Sequence, residues 1–123
     1  MAETVDTIIA WNKQTFPDTT LEGQIEKFDD EFLEFRKEKM DSPEWLEELA
    51  DLVIVSVGIM RFNYAMGFNY LSVAFGKLYA YSAMYDGIDL WGAVEEKMKK
   101  NRSRIWERKG NNYQHKEETN ETV

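Results

Sequence analysis

The sequence predicts an all-α fold: a helical bundle of about five helices, with an acidic metal site between two antiparallel helices. Apolar residues recur at helical spacing in one segment after another, and no stretch alternates convincingly as a half-buried strand would. Short breaks separate the segments, among them Phe16-Pro17-Asp18 and Met40-Asp41-Ser42-Pro43, and short links favour antiparallel neighbours. Two consecutive segments each carry a carboxylate pair three residues apart, Glu31 with Glu34 and Glu48 with Asp51. Residues at that spacing share a helix face.

The chain has 123 residues, which suits one domain with a single core, here residues 1–110. Residues 111–123 read as a polar, disordered tail with the single histidine, His115, inert within it. The net charge of −8 argues against a nucleic-acid backbone or an anionic membrane as main partner. A small phosphate ligand held through bound cations is compatible with it. The chain has no cysteine, so thiol chemistry, disulfides and thiolate zinc sites are excluded. The first residues lack the basic and apolar regions of a signal peptide, and no run approaches the length of a membrane span. A cytoplasmic location is the expectation.

Residues 3–15 form the first expected helix, with Val5, Ile8 and Ile9 on one face and Trp11 to one side. Pro17 ends it, because proline disfavours helical geometry at Phe16. Thr19 and Glu22 then fit a capping box. The second helix spans 20–39, with a core stripe of Leu21, Ile25, Phe28, Phe32 and Phe35. Ser42 caps the third, Pro43 takes its first position, and it runs to about Phe62. Gly58 within it points to close packing of another backbone.

Residues 62–85 are dense in aromatic and small residues, with Lys77 the one clear charge and a helix expected over 69–84. So apolar a segment exceeds what a small bundle can hide, which marks it as a subunit interface. Asp86-Gly87-Ile88-Asp89 supplies a turn and cap. The last helix is expected over 90–109, with Leu90, Val94, Met98 and Ile105 inward and Gly110 stopping it.

Most helical carboxylates are solvated surface. The third helix argues against that here. Glu48 and Asp51 lie on the stripe that continues through Leu52, Val55 and Ile59, while the opposite stripe is also apolar. Two acids at the mouth of a buried helix require partners or a cation. Glu31, Glu34, Glu48 and Asp51 brought face to face would make a four-carboxylate cage of the kind that Mg²⁺, or Mn²⁺, prefers. Trp11 and Phe16 flank the first break and read either as core packing or as a wall for a planar ligand. Lys97, Asn101, Arg104 and Arg108 follow one another at steps of four, three and four, a pattern that is usually a solvated face.

Taken together, these motifs resemble the EExxE…ExxD signature of the MazG-like all-α nucleoside triphosphate pyrophosphatases. Glu31-x-x-Glu34 and Glu48-x-x-Asp51 match the paired acids, and Glu48-Leu-Ala-Asp51-Leu-Val-Ile is similar to the family's ELADVLI-type helix. Gly87-Ile-Asp-Leu, followed by Glu96-Lys97-Met-Lys-Lys-Asn101-Arg-Ser-Arg104, is similar to its GIDL…EKMxxNRxR segment. The likeness covers about residues 8–61 and 86–106. It implies that Glu31, Glu34, Glu48 and Asp51 bind Mg²⁺, and that Lys97, Asn101 and Arg104 contact the triphosphate or sugar. It also implies hydrolysis of a nucleoside triphosphate to monophosphate and pyrophosphate by a homodimer or homotetramer. Two positions depart from the pattern. Asp30 stands where the first glutamate is usual, and residues 62–85 look inserted relative to compact members.

The chemistry follows from the residue types as well. Phosphoryl transfer needs positioning and charge neutralisation, and a carboxylate not fully used by a metal can take a proton from water. Glu34 and Glu48 are the two candidates for that base. A di-iron carboxylate site would need Glu-x-x-His motifs, which are missing. The alternative is a non-catalytic helical interaction module degenerate from the same family.

Overall fold

The structure, a computed structural model, describes residues 2–40, 42–82, 89–110 and 112–116. Five helices appear in chain order: α1 (Val5–Thr15), α2 (Leu21–Lys37), α3 (Pro43–Met60), α4 (Tyr64–Ser82) and α5 (Leu90–Ser103). Two short strands follow, β1 (Trp106–Lys109) and β2 (Asn112–His115). None of the described helices is long and apolar enough to cross a membrane.

α3 is the axis of the bundle. Every residue from Leu52 to Met60 is buried, with α1, α2, α4 and α5 packed around it. Its start follows from local chemistry: the Ser42 hydroxyl accepts from Trp45 N–H at 3.2 Å, and Pro43 occupies the first turn. Ser56, the polar residue inside the buried stretch, donates its hydroxyl to the Leu52 carbonyl at 2.7 Å. α2 runs antiparallel to α3. Phe35 meets Trp45 at 5.3 Å near the link, Glu31 meets Glu48 and Asp51 further along, and Gln24 lies against Gly58 at the far end. Stacked and edge-on rings seal this side, with Phe28 4.7 Å from Tyr70 of α4.

Several local expectations shift. The cap of α2 is Thr20, which accepts from Gly23 N–H at 3.0 Å, while Thr19 is buried and accepts from Gln24. Gly58 faces the side-chain amides of Gln24 and Asn12, not another backbone. α4 starts at Tyr64, five residues before the expected 69, because Asn63 caps it through Met66 N–H at 3.0 Å. Phe68 and Phe75 stay exposed on α4, and Ala74 is fully buried.

The largest departure is at the C-terminal end. α5 stops at Ser103, not at Lys109, and Arg104 is extended. β1 and β2 pair as an antiparallel hairpin in place of helix and disordered tail, with Trp106 opposite His115 and Lys109 opposite Asn112. Gly110, at φ +62, occupies the left-handed region that the turn requires. The hairpin packs Trp106 against Trp11 at 6.0 Å and Phe16 at 5.1 Å. Ile105, expected inward, is consequently exposed. Asp86-Gly87-Ile88, Tyr85, the side chains of Lys77, Tyr79 and Tyr81, and tail residues 117–123 lie outside the described residues.

A methyl group at Gly58 would overlap Gln24 Oε1 and lie 2.9 Å from Asn12 Nδ2. Gly58→Ala is therefore expected to destabilise the fold by about 2 kcal/mol through overpacking. A lowered urea midpoint with an unchanged slope would register it.

Candidate metal and ligand site

α2 and α3 bring three of the four expected acids together. Oxygens of Glu31, Glu48 and Asp51 lie within 4.8 Å of one another. Glu34 stands apart at the rim: its side chain is 56% exposed and its carboxylate pairs with Lys37 at 3.6 Å. Asp30 and Glu34 line the same cleft as the three clustered acids.

Burial and like charge dominate the cluster. Asp51 is pushed up to about 7, first by burial and then by the Glu31 carboxylate, with Lys97 opposing. Glu48 is raised for the same two reasons, burial first. Glu48 Oε2 is buried and accepts no hydrogen bond among the described residues. Three carboxylates held within 4.8 Å of one another, with a buried oxygen unpartnered among the described residues, fit a cation. The donors are all hard carboxylate oxygens, which matches Mg²⁺ or Mn²⁺.

Lys97 of α5 lies among these acids. Its ammonium is 2.8 Å from Glu47 and 3.4 Å from Asp51, and it is almost fully buried. Burial works against its charge, but Asp51 and Glu47 outweigh that and raise its pKa. Glu47 is the partner that sequence reasoning passed over. It stands four residues before Asp51, on the same helix face, and that spacing was the available signal.

Asn101 and Arg104 follow Lys97 along the cleft wall. Asn101 is buried, and its side-chain oxygen accepts from Arg104 at 3.2 Å. Arg108 does not continue the row. With the helix ended, it pairs with Asp18 at 2.7 Å and lies over the Tyr113 ring.

The other end of the cleft is aromatic and amide-lined. Trp11 meets Phe16 at 5.2 Å and Trp106 at 6.0 Å, in both cases edge-on. His115, expected to be inert, sits on β2 with its ring 5.9 Å from Trp106. Beneath these rings Asn12 donates to Gln24 at 3.3 Å, and Gln24 donates to Thr19 at 3.3 Å. Arg61 fastens this network through Asn12 Oδ1 and the Phe16 carbonyl, each at 2.9 Å.

The whole forms one cleft of about 950 Å³. Its two walls share an order. On α2, Gln24 precedes Glu31 by seven residues, about 10 Å along the axis. On the opposite wall Lys97 adjoins the acids, Asn101 lies a turn further on, and Trp106 follows. A ligand that fills the cleft meets carboxylates at one end and flat apolar rings with amides at the other. Comparison of the chain with known protein families, characterised proteins and solved structures finds no match.

For Asp51 the folded-state pKa exceeds its ordinary value of 3.8. Its contribution therefore weakens stability as pH rises from about 4 to about 7, and the penalty is constant above that. Asp51→Asn is expected to raise the metal-free melting temperature at pH 8 by on the order of a few degrees. The difference should shrink toward pH 5, where Asp51 holds its proton in the folded state. Calorimetry in chelator across that range would check it.

Proposed function

We propose that this chain is a Mg²⁺-dependent nucleoside triphosphate pyrophosphohydrolase, with Mn²⁺ able to substitute. The observation that carries the reading is the polarity of one cleft: three clustered carboxylates at one end, and aromatic rings with amides at the other. A nucleotide has the matching polarity, with charged phosphates at one end and a planar uncharged base at the other. The resemblance of the acidic and basic motifs to MazG-like enzymes supports the same conclusion.

Glu31, Glu48 and Asp51 would hold the cation, which when bound neutralises phosphate oxygens and makes water a better nucleophile. Arg104 can contact phosphate at several points. Lys97 and Asn101 add a charge and a neutral hydrogen bond beside it. Glu48 or Glu34 takes the proton as water oxygen bonds to the α-phosphorus. The bond from that phosphorus to the bridging oxygen breaks, and pyrophosphate leaves with the electron pair.

A screen of canonical and damaged nucleoside triphosphates with Mg²⁺, reading pyrophosphate, tests the activity. Glu48→Gln is expected to lower turnover by about a hundredfold or more. In ¹⁸O-water the label should enter the monophosphate. Orthophosphate release, or label confined to pyrophosphate, would place the attack elsewhere. Indifference to Mg²⁺ and to every triphosphate would instead favour the interaction module.

The exposed rings of Phe68 and Phe75 on α4 favour assembly into a homodimer or homotetramer. Light scattering at micromolar concentration should exceed the 14.5 kDa of one chain. Phe75→Asp should move the particle toward that mass.

A further inference from the structure

Resting on the nucleotide reading of the cleft, we propose that the β1–β2 hairpin recognises the nucleobase. Trp106 stacks on the base, and the side-chain carbonyl of Asn112 accepts a hydrogen bond from an N–H on the base edge.

Trp106 is built as a platform. It is half-buried in the cleft wall, and its indole N–H is committed to the Asn101 carbonyl at 3.1 Å. That bond fixes which edge of the indole faces α5. Phe16 meets it at 87° and Trp11 at 71°, and His115 meets it at 85°. Among the described residues no ring lies parallel to Trp106. It is held by its neighbours without being stacked on any of them. Stacking on an aromatic face is a general way to bind a base, because every base has a π-face.

Asn112 supplies the edge contact. Two buried side-chain oxygens lack a hydrogen-bond partner among the described residues, Glu48 Oε2 and Asn112 Oδ1. Both residues line the cleft. The first belongs to the carboxylate cluster and the second to the hairpin. A buried acceptor without a donor is costly, and turning the Asn112 amide toward the cleft would let a base N–H satisfy it. An edge that presents only acceptors to this oxygen would be rejected.

The hairpin is fastened well enough to act as a wall. Arg108 pairs with Asp18 at 2.7 Å, Tyr113 donates its hydroxyl to Asp18, and the Tyr113 ring lies 4.9 Å from Phe16. These contacts tie β1 and β2 to the link between α1 and α2. That link is itself fixed by Arg61, which donates to the Pro17 carbonyl at 3.2 Å.

The test titrates the four canonical deoxynucleoside monophosphates and inorganic tripolyphosphate, each with Mg²⁺, into the full chain. Trp106→Leu keeps apolar bulk and removes the π-face. It should weaken the preferred monophosphate about tenfold while tripolyphosphate affinity stays within about twofold. Trp106→Phe should recover most of that loss. Asn112→Ala should narrow the spread of affinities among the four bases, and it keeps the test open if Trp106→Leu fails to fold. Equal weakening of both ligands, or an unchanged spread of base affinities in Asn112→Ala, would overturn the proposal. A wild-type protein that binds tripolyphosphate but no monophosphate overturns the base wall alone. One that binds neither overturns the nucleotide reading with it.

Discussion

Enclosure of α3 on all sides is the constraint on which the rest depends. A helix buried from Leu52 to Met60 leaves no solvated face for a carboxylate on its inner turns. Glu48 and Asp51 stand at the edge of that stretch, opposite Glu31 of α2. Like charges so placed repel, and desolvation adds to the penalty. The described structure answers with two devices. Asp51 tends to keep its proton near neutrality, and Lys97 is drawn in between Glu47 and Asp51. Both devices leave the cluster short of positive charge, and a divalent cation would supply it.

The same enclosure creates the cleft. α1, α2 and α5 surround α3 without filling the space beside it, and the hairpin closes one side. The polar network of Asn12, Gln24, Thr19 and Arg61 makes the floor of the aromatic end possible. Buried amides are tolerated there because each is hydrogen-bonded, and because Gly58 leaves room for them. The anchor residue Arg61 stands at the end of α3. One helix thus carries the carboxylates at its start and the fastening of the opposite end at its finish.

Much of this was legible in the sequence, and the failures share a cause. The start of α3, the core stripe of α2 and the pairing of the acidic helices followed from caps and periodicity, whereas α1 begins at Val5 behind a Thr4 cap, two residues after the expected start. Such signals operate within a few residues of chain, so a linear reading contains them. Glu31, Glu48 and Asp51 were found for that reason. The length of α5 was misread because its basic residues keep helical spacing to Arg108. The Gly110 turn between Ile105-Trp106 and Asn112-Tyr113 was the contrary signal, and it was read only as a helix stop.

The sequence alone determined that this is a helical bundle and that any metal site would be built from hard oxygens. It has no cysteine, one histidine, and carboxylates at helical spacing, and these are facts of residue type and local geometry. Tertiary structure decided which carboxylates meet, which is why Glu34 turns to Lys37 while Glu47 takes Lys97. It also decided that β1 and β2 form a wall. That outcome depends on Trp106 and Tyr113 finding Trp11, Phe16 and Asp18, about ninety residues earlier. Side-chain burial between segments so distant leaves no periodic trace in either of them.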